Sequence, residues 1–146
     1  MLSLILAGAA AIVVPTGTTF TCTPTHVYDG DGPVWCAEGP RIRIAGIAAK
    51  EMDGTCNSNQ PCPTASAEAA RTALVNLFGG PRGQIKTGHI KVSARPMTCT
   101  SLGNAVGVRT GAWCKLADGR DLSCTMVKTR TVLVWPKYWK GHRCER

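Results

Sequence analysis

Charge is missing from the start of the chain: no Asp, Glu, Lys or Arg occurs before Asp29. Leu2 to Val14 is almost wholly apolar, a run of thirteen residues. That is too short to cross a bilayer, which takes about 20 apolar residues, but it matches the hydrophobic region of an export signal. Residues 1–18 are accordingly read as a signal or apolar N-terminal segment, and 19–146 as one folded domain. The alternative is an apolar strand kept in the fold. Only the terminal amine precedes the run with positive charge, and Pro15 to Thr18 make a poor cleavage site.

Acidic residues are scarce. Asp and Glu number 9 against 17 Lys and Arg, a formal charge of +8. Such an imbalance favours polyanionic partners such as nucleic acid or a membrane surface. No Gly-x-Ser-x-Gly, P-loop or dinucleotide fingerprint occurs, which removes the commoner hydrolase, kinase and Rossmann readings. There is no internal repeat or long flexible linker, so the 146 residues are read as a single unit.

Cys-x-x-Cys is absent too. The nearest pair, Cys56 and Cys62, has no histidine close by, so a structural zinc site is poorly supported. Eight cysteines, an even number, point instead to disulfides and to an oxidising compartment, periplasmic or extracellular. Proximity along the chain suggests Cys56 with Cys62, Cys22 with Cys36, Cys99 with Cys114 and Cys124 with Cys144.

Turn residues punctuate the rest. Thr19 to Tyr28 reads as a strand ending at Asp29-Gly30-Asp31-Gly32-Pro33, and Val34 to Ala37 as its return. Arg41-Ile42-Arg43-Ile44 alternates with period two, which puts both arginines on one face. Ser66 or Thr64 can cap a helix whose apolar stripe is Ala70, Ala73, Leu74, Leu77 and Phe78, stopped by Gly79-Gly80-Pro81. His89 to Ser93 and Val106 to Leu116 read as two further strands, and Asp121 caps a second helix to about Arg130. The expected fold is mainly β with helices: a small five-stranded Greek-key barrel of the oligonucleotide-binding kind with two or three α-helices.

Two carboxylates on the Asp29-Gly30-Asp31 turn can offer oxygens to a hard cation, although Asp and Gly are also ordinary hairpin-turn residues. Twelve residues after Asp31 comes Arg43, in Arg43-Ile-Ala-Gly-Ile, and eight after that Glu51. Then follow Glu68-Ala-Ala-Arg71, Val108-Arg109-Thr110-Gly111 and Ala117-Asp118-Gly119-Arg120-Asp121-Leu122. Together these residues, over Phe20 to Trp139, resemble the thermonuclease (staphylococcal nuclease) family.

The resemblance implies a nuclease that hydrolyses phosphodiesters in DNA or RNA, with Arg43, Arg109 and Glu51 catalytic and Asp29 and Asp31 holding calcium. One departure stands out: where the family commonly reads Asp-x-Pro-Glu, this chain reads Ala48-Ala49-Lys50-Glu51, so an expected carboxylate ligand is missing. A nucleic-acid-binding module with weakened catalysis is therefore the alternative reading, with an envelope protein attracted to anionic surfaces as a third. Lys50, Trp135, Lys137 and Tyr138 are candidates for holding a nucleic-acid strand, by charge or by stacking; the rings at 135 to 139 can equally close the base of the fold. No stable protein partner is implied, and a monomer is expected. His26, His89 and His142 show no metal-ligand or nucleophile spacing and are read as structural.

Overall fold

The computed structural model describes residues 11–145. The chain is mainly β. Four early strands run β1 (Thr19–Cys22), β2 (Pro24–Val27), β3 (Val34–Cys36) and β4 (Arg41–Ile44). They are followed by β5 (Ile47–Ala48) and helix α1 (Ala67–Leu77). Then come β6 (Ile90–Lys91), β7 (Met97–Asn104), β8 (Thr110–Lys115), α2 (Leu122–Lys128), β9 (Leu133–Val134) and α3 (Pro136–Trp139).

Seven strands form one mixed sheet in the order β1-β7-β8-β4-β3-β2-β6, and β5 pairs separately with β9. All pairs in the large sheet are antiparallel except β4 with β8. β1 and β2 lie at opposite sides of the sheet yet are separated only by Thr23, so the sheet has to curl to bring its margins together. Among the described residues no strand pair completes the ring, and the ladder counts seven strands where sequence suggests five.

Inside the curl sit Val27, Val34, Ile42, Ile44, Leu74 and Met126, all fully buried. Ser66 caps α1 by accepting from the Ala69 amide, as its place before the apolar stripe predicts. Ala70, Leu74 and Phe78 are buried as expected, and Val75 joins them. Asp121 caps α2 through the Cys124 amide at 2.8 Å.

Two readings need correction, and one strand has no counterpart among those expected. The first strand is broken at Thr23 into β1 and β2. The long strand expected at Val106 to Leu116 starts only at Thr110, because Val106 to Arg109 form the turn of a hairpin. The other arm of that hairpin, β7, is the longest strand among the described residues and has no apolar alternation to betray it. Its buried face is Met97, Cys99, Ser101 and Gly103, while Leu102 points outward.

All four disulfides join the pairs that proximity suggests: Cys22–Cys36, Cys56–Cys62, Cys99–Cys114 and Cys124–Cys144. Cys99 and Cys114 face each other directly across β7 and β8. Among the described residues no helix is long and apolar enough to cross a membrane.

Residues 1–10 of the expected signal segment lie outside the described residues. The remainder packs onto the sheet. Val14 is buried, its amide donates to Thr110 Oγ1 at 3.0 Å, and its carbonyl accepts from Ser101 Oγ at 2.7 Å. The Gly17 amide donates to the Ser101 carbonyl at 2.8 Å, and the Ser101 amide donates to the Thr18 carbonyl at 2.9 Å. A chain starting at residue 19 loses these bonds and the Val14 contact. Its unfolding free energy should be lower by about 2 kcal/mol or more than that of the chain starting at residue 11, read as a lower denaturant midpoint. Equal midpoints would mean that this segment adds nothing to the fold.

Candidate active site

Asp29 and Asp31 sit on the turn between β2 and β3, and both are buried. Gly30 lets that turn rest directly on α1: a Cβ there would lie 2.4 Å from the Ala70 Cβ and 3.2 Å from the Ala49 Cβ. The Asp31 amide donates to Asp29 Oδ1 at 3.2 Å. Asp31 Oδ2 accepts from the Ala49 amide at 3.0 Å and pairs with the Arg43 guanidinium at 3.2 Å. A second nitrogen of Arg43 donates to the Ile44 carbonyl at 2.6 Å, so the fork is held at two points.

Glu51 follows β5 at the mouth of this cluster, half-buried, and accepts from Asn57 Nδ2 at 3.1 Å. Burial, and next the Asp31 carboxylate, raises its affinity for a proton, while the positive charges of Arg43 and Arg109 oppose the rise. Burial, with the Asp31 carboxylate second, pushes the Asp29 carboxyl up to about 9. Residues 29, 31, 43, 51 and 109, far apart in sequence, thus share one electrostatic neighbourhood. Arg109 arrives there through the parallel pair: Thr110 lies opposite Ile42 and Gly111 opposite Arg43, so Arg109 lies beside the start of β4.

The convergent oxygens are hard donors, but few. Asp29 and Asp31 offer two carboxylates, one oxygen of which is already shared by Arg43 and Ala49. Ala48, fully buried and paired with Leu133, offers none. Calcium takes six to eight oxygen ligands, whereas magnesium keeps several waters and uses one or two carboxylates. The donor set therefore fits a hard divalent ion that remains largely hydrated.

The other nominated residues divide. Lys50 Nζ reaches the Thr64 carbonyl at 3.4 Å, tying down the loop before α1. Trp135 donates its amide to the Gly46 carbonyl at 2.7 Å and meets Tyr138 edge to face at 4.9 Å. Lys137 Nζ lies 5.4 Å from the centre of the Tyr138 ring. The pairing of β9 with β5 is what brings this corner near Ala48. Trp139 belongs to the fold instead: it packs edge to face on Trp113, and Trp113 stacks on His142 at 3.7 Å. Asp121, Cys124 and His142 also converge, but the Cys124 sulfur is bound to Cys144 and the carboxylate is taken up by the α2 cap and His142.

Sequence reasoning passed over a pocket beside the cluster. His26, Trp35 and Arg41 stand in one row across β2, β3 and β4, with His26 5.0 Å and the Arg41 guanidinium 4.6 Å from the Trp35 ring. His89, read as structural from sequence, packs 4.2 Å from Trp35 and 5.0 Å from Tyr28. Tyr28, Trp35, Arg41, His89 and the Val106–Arg109 turn line an open pocket of about 340 Å³. The period-two pattern of Val34-Trp35-Cys36 could have placed Trp35 outward beside Arg41, but the turn that covers it comes from a strand remote in sequence.

His26 and His89 are both harder to protonate than free imidazole. Burial is the main cause, followed by Lys91 for His26 and by His26, Arg41 and Arg109 for His89. Above pH 6.5, the ordinary value, folded and unfolded chains alike hold them neutral. As pH falls below it the unfolded chain takes up protons first, so stability is lost between that value and the lower folded one. The raised Asp29 carboxyl acts in the opposite sense, stabilising the fold more as pH falls below about 9, so the histidine contribution to the melting temperature is a decline below about pH 6.5 superimposed on that trend. Replacing His26 and His89 by Gln should flatten that decline, and an unchanged slope would contradict the assignment.

Comparison of the chain with protein-family models, curated proteins and solved structures yields no match in any of the three.

Proposed function

We propose that the protein is a phosphodiesterase of thermonuclease type, cleaving DNA or RNA at the cluster of Asp29, Asp31, Arg43, Glu51 and Arg109. One observation carries the reading: a single buried oxygen of Asp31 holds both the Arg43 guanidinium and the Ala49 amide, two residues before Glu51, while the parallel β4–β8 pair sets Arg109 beside the start of β4. Glu51, with a raised pKa, suits the task of orienting and deprotonating an attacking water. Arg43, braced by Asp31 and the Ile44 carbonyl, and Arg109 would offset the charge that builds on the phosphate oxygens. A divalent ion at Asp29 and Asp31 would add positive charge at the same phosphate.

The five-stranded oligonucleotide-binding barrel is the matching fold. The meander β2-β3-β4, the parallel β4–β8 step, the β7–β8 hairpin and the return of β7 to β1 support it, with β1 and β2 serving as one bent strand. The same reading puts the protein in the periplasm or outside the cell, a location that four disulfides favour. Nucleic acid as partner accords with the net charge of +8.

Purified protein incubated with single-stranded DNA, duplex DNA and RNA, each with calcium, magnesium or chelator, tests the proposal. Cleavage is expected with at least one substrate. Affinity should also drop about tenfold or more between about 50 and 200 mM salt if several phosphates are contacted. The burial of Ala48 where a third carboxylate is expected favours one second reading, a binding module of the same fold: retention of nucleic acid without cleavage under every condition would select it. Neither retention nor cleavage would sink both.

A further inference from the structure

We infer that the cavity formed by Tyr28, Trp35, Arg41, His89 and the Val106–Arg109 turn is a subsite for one unpaired nucleotide next to the scissile phosphate. The inference rests on the nuclease reading for its neighbour but on its own geometry for its ligand. At about 340 Å³ the cavity has the size of small-ligand sites, and its wall combines rings with guanidinium groups. Tyr28 and Trp35, both partly exposed, supply flat stacking surface backed by the buried His89, and Arg41 lies over Trp35 at 4.6 Å. Base stacking on such rings tolerates any base, because each has a π-face.

Val106 and Val108, 78% and 52% exposed at the tip of the β7–β8 hairpin, give an exposed apolar rim. Apolar side chains displayed at the edge of a charged pocket are what a flat, weakly polar base would cover.

Three links tie the cavity to the catalytic cluster. Tyr28 is followed at once by Asp29. Arg109 lines the cavity while its charge acts on Glu51. Arg41 and Arg43 project from the same face of β4, two residues apart, a separation of about 6.6 Å along a strand. That separation is comparable to the step between successive phosphates of an extended strand. With Arg43 at the scissile phosphate, Arg41 meets the next one and the intervening base enters the cavity. A paired base has its faces covered and cannot enter, so the subsite selects single strands or frayed ends.

The test uses a set of single-stranded octadeoxynucleotides with phosphorothioate linkages, each lacking one base, with binding read by fluorescence anisotropy in chelator. For the parent protein, removal of the base at one position should weaken binding by about 5- to 150-fold, the range for a stacked base. Tyr28→Ala should erase that position dependence. Val106→Ser, at an exposed tip where folding is not at stake, should reduce affinity for the intact strand by about threefold through lost apolar contact.

A parent protein indifferent to every missing base, or both variants binding as the parent does, overturns the subsite; so does failure to bind any strand. If the parent cleaves nucleic acid yet ignores missing bases, the subsite falls while the nuclease reading stands. If it reads the missing base but never cleaves, the subsite stands and the catalytic reading falls.

Discussion

Glu51→Gln is expected to lower turnover on nucleic acid by about 100-fold or more while leaving the melting temperature nearly unchanged. The amide keeps the size of the carboxylate and can still accept from Asn57 Nδ2, so the loop that carries it is preserved. What it loses is the ability to take a proton from water. Arg43→Ala and Arg109→Ala should produce losses of similar size, by removing donors to the phosphate. They differ from each other in their effect on the fold. Arg43 neutralises the buried Asp31, so its removal should also cost stability, whereas Arg109 has no such partner among the described residues. Turnover in single-turnover conditions and thermal melts on the same samples separate the effects. If Glu51→Gln cleaves as fast as the parent, the water-activating role belongs elsewhere.

Ala48→Asp should be the most destabilising single change near the cluster. Residue 48 is fully buried in β5, and a carboxylate placed there without a counter-charge costs about 3 kcal/mol or more. A divalent ion bound beside Asp29 and Asp31 would supply that counter-charge. In chelator the variant is expected to melt well below the parent, and calcium should recover a large part of the deficit and raise activity at limiting metal. Magnesium should recover less, because it gives up its waters reluctantly. A deficit that no divalent ion relieves would mean that the residue 48 side chain does not face the two aspartates, and that the missing carboxylate has no bearing on ion binding.

How much of this was legible beforehand depended on whether partners were local. The four disulfides each close short loops, with separations of 6 to 20 residues, and nearest-neighbour order identified them. Helix α1 was visible because its stripe obeys a 3.6-residue period and Ser66 stands before it. β7 was invisible because Ser101 and Gly103 occupy its inner face: Ser101 is satisfied there by Val14, and the missing side chain of Gly103 makes room for Thr16. The break at Thr23 has no marker stronger than the proline after it.

Within the site, Asp29, Asp31, Arg43 and Glu51 lie on consecutive elements and could be proposed from spacing. Arg109 needed the parallel β4–β8 pair to join them, and the cavity needed the same pair to bring the Val106–Val108 tip over Tyr28 and Trp35. A parallel pairing is a long-range event that no local pattern announces.

The contact of Gly30 with Ala70 has a consequence for how the chain can vary over time. Ala70 touches no phosphate and no ion, so its preservation in any set of descendants would pass for simple core upkeep. Yet the helix surface at residue 70 is the floor on which the two aspartates stand: even the single methyl of a Cβ on Gly30 would come within 2.4 Å of the Ala70 methyl. A larger side chain at 70 would push the turn outward and with it Asp31, Arg43 and the aim of the guanidinium. Enlargement at residue 30 is therefore open only after residue 70 has shrunk to glycine, and a lineage that enlarges either one otherwise should lose catalysis before it loses the fold.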